Sequence, residues 1–147
     1  SNLNATAGNY KTIILADLNR LAGTTAEKSA LQAKLAAFAV RPEVAGVIVD
    51  VGADNRVAAA NAQADAYPAC PYAKNLVAGT IKEIVDKYRA VNPLEYVVIV
   101  GNDDVIPFFR YPDQAMLGNE LNYAPPVRDN TASQASLKLS CVLSQDE

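Results

Sequence analysis

The sequence predicts a three-layer α/β domain built on a mainly parallel sheet. Three apolar runs carry that expectation: TIILA at residues 12–16, VAGVIV at 44–49 and YVVIV at 96–100. Each is rich in β-branched residues and does not alternate with polar ones, the pattern of strands buried on both faces. A helix-compatible segment lies between each successive pair. Parallel strands need such crossovers, which are right-handed and lay their helices over the sheet faces. A chain of 147 residues, half of them apolar, is long enough for one such core and short for two.

Residues 1–10 read as a leader or expression remnant, 11–105 as the parallel core, and 106–147 as an extended loop with an edge strand. After the first strand, Thr24 and Glu27 form a capping-box pattern that starts a helix. Leu31, Leu35 and Phe38 give that helix an apolar stripe, and Pro42 stops it because the residue before proline is pushed out of the α region. The alanine-rich stretch 57–66 reads as a short helix or a turn. Past the Pro68 and Pro71 punctuation, Leu76 or Val77, then Ile81, Ile84, Val85 and Tyr88 line one side of a helix over 75–88, which ends near Asn92 and Pro93. The whole is a Rossmann-like arrangement as far as residue 101.

Beyond Gly101 the texture changes. Pro107, Pro112, Pro125 and Pro126 among Asn, Asp and Tyr predict an extended surface segment over 106–134, with Tyr111 and Tyr123 packing back onto the domain. Leu137, Leu139, Cys141 and Leu143 then alternate with polar neighbours and predict a half-buried strand. An apolar element so close to residue 147 suggests a fragment whose partner is the downstream domain of its own polypeptide, with another peptide or protein as the alternative.

Thirteen basic against sixteen acidic residues, without a Lys/Arg block, leave no footprint for nucleic acid. The apolar runs fall far short of the roughly 20 residues a membrane-spanning helix needs. The chain contains no histidine, so it cannot build a Ser-His or Cys-His dyad. Cys70 and Cys141 do not fall at metal-ligand spacing and fit one disulfide or two free thiols equally well. Cys70 lies between prolines just before a helix start, where a thiol can be activated, but an inert or disulfide-bonded thiol is the favoured reading. No phosphate-cradling glycine loop is present.

Asp17, Asp50, Asn102, Asp103 and Asp104 sit at or just past the carboxyl ends of the predicted strands, the rim where open parallel sheets bind ligands. Carboxylates gathered there would suit a hard cation such as calcium. Their ordinary work in such loops is to accept hydrogen bonds from turn and helix-start amides, and that is the favoured reading. Asp50 follows an apolar run, so it needs a hydrogen-bond partner or a path to water.

The stretch LEYVVIVGNDDVIP at 94–107, with Asp113 and Tyr123 after it, resembles part of the gingipain-type cysteine peptidases. KTIILA at 11–16 and the helix over 75–88 occupy comparable places, so the resemblance spans residues 11 to 123, more closely after Asn75. It implies a caspase-like fold of two similar subdomains, of which this chain matches the non-catalytic N-terminal one. The family's catalytic histidine and cysteine lie in the second, so neither Cys70 nor Cys141 inherits a role. The resemblance implies support of a downstream peptidase domain and a secreted or cell-surface location. The alternatives are a non-enzymatic binding or structural module of the same fold, and a flavodoxin-like domain that binds a cation or small ligand.

Overall fold

The structure, a computed structural model, describes residues 1–114, 128, 129, 131–139 and 141–144. Its centre is a three-stranded parallel sheet of β1 (Thr12–Ala16), β2 (Gly46–Asp50) and β3 (Tyr96–Val100) in the order β2-β1-β3. Thr12 is in register with Gly46 on one side and with Tyr96 on the other. Helix α1 (Thr25–Ala39) connects β1 to β2, and α2 (Asn55–Ala66) with α3 (Ala73–Val91) connects β2 to β3. This is the expected α/β class with a parallel sheet.

The core follows from the two-residue period of the strands. Ile13, Leu15 and Val49 point to the face that α2 and α3 cover, where they meet Val57, Val77, Ile81, Ile84 and Tyr88. Ile14 points the other way, toward the α1 side: a Cβ added at Gly46 would meet both the Ala39 backbone and the Ile14 side chain. Among the described residues, only β1 is buried along its whole length. The expectation that all three strands are buried on both faces is therefore corrected. Strand order decides this, because β1 alone has a strand on each side, while Tyr96, Val97 and Ile99 of β3 remain exposed.

Local chemistry sets the helix limits. The Thr24 hydroxyl accepts from the Glu27 amide while the Glu27 carboxylate accepts from the Thr24 amide, so the capping box forms. The α1 stripe is shallower than expected: Leu31 and Leu35 are half-buried and Phe38 is exposed. The second strand starts at Gly46 rather than at residue 44, because the amides of Val44 and Ala45 bond the Arg41 carbonyl in a turn. The alanine-rich stretch is a true helix, since Asp54 caps it through the Arg56 amide at 2.8 Å. Helix α3 begins two residues earlier than the prolines suggest, and Val77, not Leu76, is its buried residue.

The tail differs most. Phe109–Pro112 forms β4, which pairs antiparallel with β5 (Cys141–Ser144) in a separate two-stranded sheet. The period-two reading is corrected over 137–139: Leu137 lies in α4 (Ala132–Lys138) and Leu139 caps it, so only the end of the expected strand is one. Thr131 accepts from the Gln134 amide and starts that helix, which outweighs the alternation. The extended reading of 106–134 is likewise corrected by β4 and by the burial of Val105, Ile106 and Arg110. Tyr123, Pro125 and Pro126 lie outside the described residues.

Residues 1–10 are strapped to the core by two buried polar side chains. Asp54 accepts from the Leu3 amide at 2.8 Å. Asn92, at the end of α3, accepts from the Gly8 amide and donates to the Thr6 carbonyl. No helix among the described residues is long and apolar enough to cross a membrane.

Candidate functional site

The carboxyl ends of β1, β2 and β3 open onto a polar rim. Asp17, buried just past β1, accepts from the amides of Asn19 and Arg20 at 3.1 Å and from the Asn61 side-chain amide at 3.3 Å. Gly52 lies so near that a Cβ there would sit 2.4 Å from the Asp17 carboxylate. Only glycine fits that approach. Asp50 finds the partner it needs across the strand ends, accepting from the Leu18 amide at 3.1 Å. Past β3, Asn102 accepts from the Asp104 amide, and Gly101 takes a positive φ of 124° to bring the chain around.

Asp103 has a different task. Its carboxylate accepts from the Phe108 amide at 2.9 Å, from Ser133 and from the Arg110 guanidinium, where the Nη1 bond measures 2.7 Å. Arg110 is fully buried and also donates to Ser136 at 3.1 Å. A buried guanidinium is tolerated only with a paired charge and saturated donors, and Asp103, Ser136 and the Phe108 carbonyl supply them. The rim carboxylates thus serve amides and guanidinium groups locally. Among the described residues they do not gather into a group of three or more that could hold a metal ion.

A second polar cluster lies on the same rim. Arg20 makes a fork with Asp65 at 2.8 and 3.1 Å and donates through Nε to the Asp104 carbonyl at 2.9 Å. The Asp65 partner raises the Arg20 pKa, and Arg20 in turn lowers that of Asp65. Lys74, at the start of α3, is buried and lines a pocket of about 510 Å³ with Arg20, Asp65, Asp104 and Arg128. Burial lowers its pKa, the neighbouring Arg20 charge lowers it further, and Asp65 and Asp103 oppose the shift.

No family model, curated protein or solved structure matches the chain.

Of the residues expected at the rim, Asp17, Asp50, Asn102 and Asp103 are engaged as hydrogen-bond acceptors, and Asp104 faces the Lys74 pocket. The sequence reading missed Arg20, Asp65, Lys74 and Arg110. Lys74 was within reach, because it stands three and four residues before Val77 and Ala78 on the buried stripe of α3. Arg110 was also legible as the inward position between Phe109 and Tyr111. Cys70 is exposed and Cys141 buried, and both are free.

A second feature lies away from the rim. The outer side of β3 and the flank of α3 form a groove, again about 510 Å³, in which Val97, Ile99, Ile106 and Phe108 are bordered by the charged Lys82, Asp86, Arg89 and Glu95. Among the described residues β3 pairs only with β1, so its outer edge is a row of unused backbone donors and acceptors.

Proposed function

We propose that this chain is a non-catalytic α/β subdomain that buttresses the following domain of its own polypeptide, as the N-terminal subdomain does in gingipain-type cysteine peptidases. The observation that carries this reading is the open flank of β3. Its sequence, YVVIV, holds no charge to discourage pairing, and Tyr96, Val97 and Ile99 are 59%, 51% and 39% exposed. Native edge strands are normally blunted by charge, proline or a covering element. Burying each such aliphatic side chain is worth roughly 1.5–3 kcal/mol, so a covering layer has a strong driving force.

The occupant is argued from topology. In a sheet of order β2-β1-β3, a further parallel strand adds beside β3, which is the doubly wound pattern. The resemblance centred on residues 94–107 falls on this same strand and the turn after it. Secretion or surface attachment and peptidase chemistry in the second half belong to this proposal, with the buttress as this chain's share.

The test is hydrogen exchange on the chain alone and joined to the polypeptide that continues it in its gene. We expect the outward amides of β3 to exchange fast alone and to gain at least about a hundredfold protection when joined. The continuation is expected to encode a His-Gly and a later Cys. Unchanged exchange on joining, or a continuation without those residues, would remove the buttress and the peptidase reading respectively.

A further inference from the structure

The rim holds a lysine, Lys74, that the carboxylates of Asp65 and Asp103 influence only at a distance. Lys74 is 5% exposed, yet among the described residues no hydrogen bond or ion pair reaches its ammonium. It stands between two closed ion pairs. On one side the Asp65 carboxylate is taken by both terminal nitrogens of Arg20, and on the other Asp103 is taken by Arg110. The nearest acidic groups are therefore spent on guanidinium partners. The ammonium itself is not sealed from solvent: it opens into a pocket large enough for a small molecule.

Arg128 lines the same pocket and adds a third cation beside Lys74 and the Asp65-bound Arg20. Asp104 and Asp129 line it as well, beside the Arg20-bound Asp65, and three carboxylates in the wall disfavour a multiply charged anion. The first amides of α3 are already bonded to the carbonyls of Cys70, Pro71 and Tyr72, so side-chain charge rather than the helix end must do the binding.

We propose that this pocket binds a small monocarboxylate, with Lys74 pairing its carboxylate, Arg128 assisting, and Asp104 receiving a hydroxyl or amino donor from the rest of the molecule. The position is where open α/β sheets bind ligands, outside the carboxyl ends of the strands. Such a site is independent of peptidase chemistry and of the proposed covering of the β3 edge.

The experiment is a titration of the whole chain with acetate, and separately with inorganic phosphate, at constant ionic strength, followed by NMR. Acetate is expected to produce saturable shifts at Lys74 and Asp104 with a dissociation constant in the range of roughly 1–20 mM. The Lys74 Cε resonance should report a pKa that rises as acetate binds, because an anion favours the charged amine. Lys74→Met should weaken acetate binding by at least about tenfold, while Lys82→Gln, on the far flank of α3, should leave it unchanged. Lys74→Met should also fold without loss of stability, since no hydrogen bond or ion pair of the Lys74 side chain is broken among the described residues. Shifts with phosphate but not acetate would overturn the carboxylate assignment. Absence of saturation up to about 50 mM, or binding that survives Lys74→Met, would overturn the site. Should Lys74→Met fail to fold, the Lys74 resonance in the unaltered chain decides: a pKa indifferent to acetate overturns the proposal.

Discussion

Asp54 shows how one buried carboxylate can join three parts of a chain. It caps α2, accepts from the Arg56 side chain at 3.1 and 3.0 Å, and holds the Leu3 amide. The Arg56 guanidinium, helped by the Leu3 and Arg56 amides and opposed by burial, holds the Asp54 pKa far below the ordinary carboxylate value. A depressed carboxylate pKa stabilises the fold at pH values above the unfolded pKa, near 3.8, and that stability is lost as pH falls below it. Asp54→Asn should cost roughly 1–3 kcal/mol at neutral pH, because it leaves donors unsatisfied. In denaturant melts, the difference between the two proteins should shrink steadily below about pH 4. A difference that stays constant down to pH 2 would mean that Asp54 acts through shape alone. Gly52 is the counterpart in backbone terms, a position where contact with Asp17 rather than turn conformation demands glycine.

At the scale of elements, Arg110 is the rivet of the tail. Strand β4 carries it, α4 supplies Ser133 and Ser136 around it, and the turn after β3 supplies Asp103. Removing one partner of a buried pair leaves an uncompensated charge, which typically costs roughly 3–5 kcal/mol. Arg110→Met should therefore destabilise by about that much, and the double variant Arg110→Met with Asp103→Leu should recover most of it. A double-mutant cycle in urea measures the coupling. Additive losses would show that the pair does not act as a unit. The same elements explain what was hard to read. The alternation of Leu137, Leu139 and Cys141 fits a strand, but a capped helix of seven residues can override it when its burial is set by a neighbour, here Arg110 and β4. Helix α3, with its apolar stripe and its Asn92 end, was legible because local pattern and tertiary contact agree.

For the whole molecule, the balance lies between a buried interior around β1 and an exposed flank at β3. Chemistry is sparse in proportion. With no histidine in the sequence and its two thiols respectively exposed and buried without a base, the chain is expected to hydrolyse neither Arg- nor Lys-ended peptides. Fluorogenic peptide assays on purified protein check this, with Cys70→Ala as control. Turnover that persists through purification and disappears in Cys70→Ala would refute it.

The sequence by itself determined the class of this fold and the succession of its central strands and helices along the chain. Runs of β-branched residues, a capping box and proline stops act over a few residues, and each is sufficient locally. It also determined what chemistry is lacking, since a missing imidazole needs no coordinates to be noticed. The tertiary structure alone decided which strand is buried and which is open, because burial depends on strand order and every run looks equally apolar in one dimension. It alone paired Asp103 with Arg110 and Arg20 with Asp65, at separations of 7 and 45 residues. Among the described residues, those pairings leave Lys74 without a hydrogen bond or ion pair of its own. Charge compensation acts through space over a few ångströms in a poorly screened interior, so only the folded chain shows which ions are satisfied.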